Sequence, residues 1–449
     1  MPVISREKIE KRSLGYWLTK QFVDFLFKCY YPKKVIGKEK IDFNEILIFA
    51  TNHQNTLIDA LALLTMRRWQ PVFLARADIF RKPFIEKILT FLKIMPVYRI
   101  RDGYENLQLN NNIFRKTIDV LNNRNGLVIL PEGNHEGFRR LRQLKKGIAR
   151  IAFQAIEDSG GKMNIKIVPV GLEYSHYRKF GSPIQIRLGE PINVLDFYPK
   201  YLENNAKGVN KLIEELSIRI KNEMIHIEDD VFYYEYEIIR QQGAFEWTHQ
   251  KKQRANISNL FNAGKKFVDI LNELKESDED EFFNILNVTS EYQENMRYAR
   301  IETPLNPRKM SGFSLLLKIP ALIATLPVFL YGFINNLIPL GIIHLISSKI
   351  KDPQFVSSVR FVSGLVLFPL FFIIQTVIFA LVVKNGWWTL FYFIALPSSG
   401  LLMMLWRKLF FNVEKHINIL YVRLFKNDLY REIKNNLKTI GEFCRKYIN

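Results

Sequence analysis

Four short windows in the first half of this 449-residue chain hold the side chains able to do chemistry. The first, NHQNTLIDAL, sets His53, Asn55 and Asp59 in one polar stretch directly after the apolar run Ile46–Ala50. A histidine with a carboxylate partner is a general base: the carboxylate fixes the ring tautomer and steadies the imidazolium that forms when a proton is taken. The second window, MPVYRIRDG, offers Arg99 and Arg101, whose planar forks suit phosphate. The third, LPEGNHEG, offers Glu132, Gly133, Asn134 and His135 in a turn that can present backbone N–H groups and a carboxylate. Behind it, RRLRQLKKG adds Arg139, Arg140, Arg142, Lys145 and Lys146, an anion-attracting patch. The fourth, KIVPVGLEY, is a strand interrupted by Pro169. Singly, each window is weak. A histidine near an aspartate is more often a satisfied structural pair. Glu132 alone reads as a helix cap or surface charge, and the basic run as a solvated face or a contact with anionic lipid.

Elements must position these groups. From about residue 40 to 195, short apolar runs alternate with helical patterns. The strands expected are Ile46–Ala50, Val72–Ala75, Met95–Tyr98, Leu127–Leu130, Ile165–Gly171 and Ile184–Leu188, with helices near 57–67, 83–93, 107–123 and 142–157. That rhythm predicts an α/β domain with a mostly parallel sheet, whose sites lie just past the carboxyl ends of strands. His53 follows one such strand and Glu132 another. The step from His53 to Asp59 does not keep both on one helical face. His53 is therefore expected in the turn and Asp59 in the first helical turns, with Asn55 or Thr56 as N-cap. The pair works only if the two side chains lie within about 4 Å.

The chain divides into five segments: an amphipathic membrane-interface helix (1–39), the α/β domain (40–198), a helical insert or linker (199–312), membrane segments (313–408) and a basic helical tail (409–449). The net charge is +20, which favours a polyanionic partner. The apolar runs Ile319–Ser348, Phe361–Val383 and Asn385–Trp406 select membrane lipid over nucleic acid, because each reaches the about 20 residues a bilayer core takes. Pro327, Asn335, Asn336 and Pro339 make the first run a bent or re-entrant pair of half-helices. Lys384-Asn385-Gly386 joins the other two as a hairpin. Basic residues in 349–360 and 407–415 place those stretches on the cytoplasmic side. The N-terminus lacks a signal-peptide core, which puts the first 300 residues in the cytoplasm as well. Residues 11–34 show Leu14, Trp17, Leu18, Phe22, Phe25 and Leu26 at helical spacing, which suits a bilayer interface and packing on the next domain equally. Cys29 and Cys444 provide no disulfide framework or CxxC metal pair.

In this order and on strand ends of one domain, NHQNTLID, MPVYR, LPEGNHEG and IVPVG, with LKKGIARIA after the third, resemble the four blocks of the glycerophospholipid acyltransferases. The resemblance covers about residues 40–195. It implies a mostly parallel-sheet acyltransferase domain, carried here with an N-terminal amphipathic helix, a helical insert and C-terminal membrane helices. It implies transfer of a fatty acyl chain from acyl-CoA or acyl-ACP, as co-substrate and with no cofactor, to glycerol 3-phosphate or a lysophospholipid such as lysophosphatidate, at a membrane. His53 would deprotonate the acceptor and Asp59 orient it. Arg99 would hold the phosphate, and Glu132 and Gly133 would shape the acceptor site. Lys145 and Lys146 fall at a basic position after the third block, and Pro169 would set the strand lining the donor site. Two departures stand out. The histidine–aspartate spacing is one residue longer than the family's common form. Asn134-His135 replaces the usual Thr-Arg, so His135, Arg139 or Arg140 would supply the cation. Two other classes remain: an inactive lipid-binding or scaffold protein on the same fold, and a metal-dependent phosphate-ester hydrolase, which the lack of an HExxH-like cluster disfavours.

Overall fold

The computed structural model describes residues 9, 11, 13–67, 69–97, 115–301 and 312–448. Arg99 and Arg101 lie outside them. Two compact units emerge: one runs to His226 and takes in Asp352–Ser358, and the other holds Ile227–Lys351 and Val359 onward.

The first unit is built on a sheet of β1 (Lys33–Ile36), β2 (Ile46–Thr51), β3 (Val72–Arg76), β4 (Ile94–Val97), β5 (Leu127–Ile129), β6 (Ile165–Tyr174), β7 (Ile184–Leu188) and β8 (Ile192–Asn193). Its order is β1-β7-β6-β2-β5-β3-β4, with β8 also on β6. The β6-β2-β5-β3-β4 ladders are parallel, while β7 and β8 run antiparallel to β6. This is the mostly parallel α/β sheet expected. β2 is apolar up to its closing Thr51 and nearly wholly buried, as a strand covered on both faces must be. The Gly147–Asp158 helix sets Ile148, Ile151, Ala152 and Ala155 into a core shared with Ile48, Leu127, Ile165 and Ile167. The Asn205–Glu223 helix sends Val209, Leu212, Leu216 and Ile220 into the same core. At about 1.5–3 kcal/mol per buried aliphatic side chain, that seam ties it to the sheet, although the sequence pattern puts it at the start of the helical insert.

Pro169 sits in the middle of β6 without breaking it. Its carbonyl accepts from Gly189 N at 2.9 Å on the outer side, between the residues paired with β8 and those paired with β7. The missing N–H therefore falls in a gap in the ladder.

The N-terminal helix is Leu14–Tyr30, shorter than 11–34. Pro32 cannot continue it, and Lys33 and Lys34 open β1 instead of lying on the helix. It buries Tyr16, Lys20, Val23 and Phe27 and exposes Leu14, Trp17, Leu18, Phe22 and Phe25. Lys20 is tolerated inside because its ammonium meets Asp24 Oδ2 at 2.6 Å and the Arg67 carbonyl at 3.3 Å. Phe84, Ile88 and Phe91 of the Pro83–Phe91 helix are exposed as well, and Phe91 touches Tyr16 edge-on with centroids 6.1 Å apart.

In the second unit, helices Tyr233–Gln250, Ile257–Ser277 and Glu279–Tyr298 bundle with Asn427–Lys446, the later part of the 409–449 stretch, whose first part continues the Gly386–Phe425 helix. The acidic run ends one helix and caps the next: Asp278 accepts from Glu281 N at 2.9 Å. Three helices, Leu326–Ser348, Phe355–Val383 and Gly386–Phe425, are long and apolar enough to cross a membrane. Asn385 caps the third by accepting from Trp387 N and Trp388 N. The first apolar run divides into Gly312–Ala324 and Leu326–Ser348. The break falls at Thr325, just before Pro327, and the helix continues through Asn335, Asn336 and Pro339.

That continuity has a cause. Pro339 has no N–H for the carbonyl of Asn335, four residues back. Gln375 Nε2 donates to that carbonyl at 2.7 Å, and Tyr392 OH donates to Asn335 Oδ1 at 2.7 Å. Gly332 lets the Gly386–Phe425 helix close in, since a Cβ there would meet the Ser399 carbonyl at 2.6 Å. Gln375→Leu is expected to lower unfolding stability in detergent by about 1–2 kcal/mol, the cost of an orphaned carbonyl in apolar surroundings. Adding Pro339→Leu, which restores an N–H at that position, should regain most of it. A thermal melt of the two variants decides, and no recovery in the double variant would sink the assignment.

Candidate active site

β2 ends at Thr51 and the chain turns before the Thr56–Leu64 helix begins. Asn52 anchors the turn to β6: its side chain donates to Leu172 O at 3.2 Å and accepts from Leu172 N at 2.7 Å. His53 then lies in the turn, and Asp59 one turn into the helix. His53 Nδ1 and Asp59 Oδ2 are 2.8 Å apart, inside the reach required of a pair.

Asp59 is fully buried and its oxygens collect donors. Oδ2 also accepts from Gln54 N and Asn55 N, each at 2.7 Å, and Oδ1 accepts from Tyr174 OH at 2.5 Å. Burial, reinforced by the Asp59 charge, holds the Tyr174 hydroxyl well above its ordinary pKa, so it remains a donor. A carboxylate only accepts. Nδ1 of His53 therefore carries the hydrogen and Nε2 presents its lone pair, the tautomer a general base needs.

Asn55 occupies the N-cap position, yet its side chain makes no capping bond; it donates to the Tyr177 carbonyl at 3.1 Å. Asp59 serves the turn's N–H groups instead, reaching back from the helix. Thr56 takes φ +43°, a costly conformation for a β-branched residue. The six-residue step is thus closed by a tightened turn between β2 and the helix, and Asp59 still reaches His53.

Glu132 follows β5 and is buried. Its Oε1 accepts from His53 N at 2.6 Å and its Oε2 from Arg142 N at 3.0 Å, so one side chain joins the histidine turn to the basic loop. Burial pushes its pKa up to about 8, against the lowering effect of those two bonds. Glu132 is a brace between loops, not a surface charge. Gly133 takes φ +66°, a turn conformation that suits glycine, and it is exposed along with Asn134.

The remaining cations separate by environment. Arg139 is buried; it donates to Glu173 Oε1 and to the Tyr174 carbonyl, both at 2.8 Å. That corrects its reading as a replacement phosphate ligand: its charge is neutralised inside. Lys145 and Lys146 are exposed, and the Lys145 stem lies by Gly133. Lys145 N bonds the Pro131 carbonyl at 2.7 Å. The 142–146 stretch is therefore committed to the Glu132 loop, and the helix starts at Gly147 instead of 142.

His135 stands with its ring 5.4 Å from that of His53, edge-on, and 4.8 Å from Phe355. Its Nε2 is 3.2 Å from Asp352 Oδ2. Burial holds its pKa below the ordinary histidine value, although the Asp352 contact raises it. The sequence reading missed the 352–358 stretch, because nothing local in DPQFVSS marks it as part of this unit. It also missed Tyr174 and Tyr177. Tyr177 OH donates to Gln54 Oε1 at 3.2 Å, and its carbonyl accepts from Asn55 and from Ser357 Oγ at 3.1 Å. The one available signal is the tyrosine closing VPVGLEY. Next to it, His176 is held down to about 4, by burial first and then by Lys179, Arg178 and Arg139.

Residues 33–173 match the family model described as Acyltransferase. Among curated proteins, glycerol-3-phosphate O-acyltransferase 1 of Saccharomyces cerevisiae is 29% identical over 120 residues, 26% of this chain and 16% of that one. Glycerol-3-phosphate O-acyltransferase 2 of the same yeast is 31% identical over 109 residues, 24% and 14% of the two chains. The match thus spans a small part of either relative. The 1-acyl-sn-glycerophosphate acyltransferase PlsC from Thermotoga maritima aligns over 48% of this chain and 83% of its own, with 17% identity and a TM-score of 0.33. The fold assignment rests on the sheet itself and not on that likeness.

Proposed function

We propose, from the premise that residues 33–173 form an acyltransferase domain of the glycerophospholipid family, that this chain moves a fatty acyl group from a thioester to the hydroxyl of glycerol 3-phosphate or a lysophospholipid such as lysophosphatidate. The observation that carries the reading is the His53–Asp59 pair, with Nδ1 bound and Nε2 left for the acceptor. His53 Nε2 takes the hydroxyl proton as the oxygen attacks the thioester carbonyl. The imidazolium so formed faces the Asp59 carboxylate at 2.8 Å. As the tetrahedral centre collapses, the C–S bond breaks and His53 returns the proton to the leaving thiolate. No acyl-enzyme is needed. Exposed Lys145 and Lys146 and the positive loop at Arg178 and Lys179 favour an anionic acceptor.

The donor is acyl-CoA or acyl-ACP, and the setting is a membrane with the catalytic unit on its cytoplasmic face. Three apolar helices support the membrane setting, as does the outward face of Leu14–Tyr30, where Trp17, Phe25 and Lys28 are exposed. The test is thiol release by detergent-solubilised protein with each donor, across glycerol 3-phosphate and lysophosphatidate. Release that depends on one acceptor is expected. Lack of turnover with every pair would favour a lipid-binding scaffold on the same fold.

A further inference from the structure

A second histidine–carboxylate pair lies beside the first. Its carboxylate, Asp352, comes from a stretch more than 200 residues along the chain, between the apolar helices Leu326–Ser348 and Phe355–Val383. This stretch is anchored at several points within the catalytic unit. The Gln354 carbonyl accepts from Thr56 Oγ1 at 3.3 Å, and Ser358 Oγ bonds the same hydroxyl. Ser357 donates to the Tyr177 carbonyl, and Phe355 packs edge-on against His135. The residue the strap holds is the one standing where the family more often has an arginine. Unlike arginine, a half-buried histidine does not keep its charge unaided.

We propose that Asp352 is a positioning residue of the active site: it orients His135 and favours the cationic ring, so that His135 serves as the donor to the phosphate of the acceptor. The assignment rests on the acyl-transfer reading for the identity of that acceptor. The groups facing His135 are Asp352 from the strap and His53 and Asp59 from the turn. Burial, with His53 nearby, holds its pKa below the ordinary histidine value, and the carboxylates offset only part of that lowering. Removing the Asp352 charge therefore lowers it further and leaves the ring neutral at a pH where it is charged in the wild type. Asp59 is already shared among His53, two backbone N–H groups and Tyr174. Of the two carboxylates, Asp352 is the one within hydrogen-bond reach of His135.

Asp352→Asn tests this in the full-length protein, because the amide can still hydrogen-bond His135 while carrying no charge. The KM for the phosphorylated acceptor is expected to rise on the order of 10-fold, the worth of one charged hydrogen bond, with kcat little changed. The loss should shrink as the pH is lowered. The double variant Asp352→Asn/His135→Arg, with a fixed charge, should regain a low KM at all pH values. An unchanged or lowered KM, or a loss that neither acid nor His135→Arg repairs, would overturn the assignment. Calorimetric binding of glycerol 3-phosphate and of lysophosphatidate to the same proteins separates the two ideas. If the wild type binds either ligand without turnover, the acyl-transfer reading fails, and the Asp352 assignment is judged on whether Asp352→Asn weakens binding with the same rescue. If the wild type binds neither, the assignment fails with it.

Discussion

His53→Ala is expected to lower acyl transfer by about 10²–10⁴-fold, the range general-base catalysis contributes, with little change in stability because the ring is partly open to solvent. Asp59→Asn should lose a comparable factor and also destabilise the fold. Four donors converge on the Asp59 carboxylate: His53 Nδ1, Gln54 N, Asn55 N and Tyr174 OH. An asparagine amide offers one acceptor oxygen and turns N–H groups toward donors. At about 1–3 kcal/mol for each buried donor left unpaired, a loss of roughly 2–4 kcal/mol follows. The contrast is diagnostic. Thiol-release rates and denaturant midpoints should separate the variants, with His53→Ala inactive but stable and Asp59→Asn inactive and weakened. Full activity in His53→Ala would remove the histidine from the chemistry altogether.

The second large effect concerns Glu132. Glu132→Ala strips the partner from two buried backbone N–H groups, those of His53 and Arg142. Their combined cost is about 2–6 kcal/mol, and activity should fall too, since the histidine turn loses its brace. The pH dependence has a definite sign. Burial raises the folded pKa from 4.5 to about 8. Between those values the folded protein binds more protons here than the unfolded chain does, so stability falls as pH rises. Below about pH 4.5 both states are protonated and the contribution is complete; it is lost as pH passes through about 8. Glu132→Gln cannot titrate. Unfolding free energies of wild type and Glu132→Gln, measured across pH 5–8, should diverge in that direction. A constant difference would show that Glu132 stays ionised in the folded protein.

What the sequence made legible follows from the range of the forces involved. β2, β5 and β6 are short apolar runs bounded by turns, and their positions were readable to within a few residues. β1 was not, since KKVI is half basic and follows a helical pattern; it is a strand only because β7 offers an edge. β8 is two residues long and exists through its pairing with β6. The His53–Asp59 pair was legible because both residues sit in one local turn. The Asp352–Ser358 strap was not, because it reaches the turn through tertiary contacts across hundreds of residues. Arg139 shows the same limit: its spacing suggests a ligand, but burial against Glu173 gives it another role.

The strap also constrains how the chain is threaded. Residues up to His226 and residues Asp352–Ser358 form one compact unit, so they share one side of any bilayer. A chain that starts and finishes on the same side crosses an even number of times, or not at all. Between His226 and Asp352, the apolar helices among the described residues are the short Leu315–Ala324 stretch and Leu326–Ser348. A single crossing by Leu326–Ser348 would leave the strap on the far side of the membrane from His53. The Asp352–His135 contact is therefore incompatible with a lone crossing by Leu326–Ser348: either a second apolar segment crosses before it, or that helix does not cross.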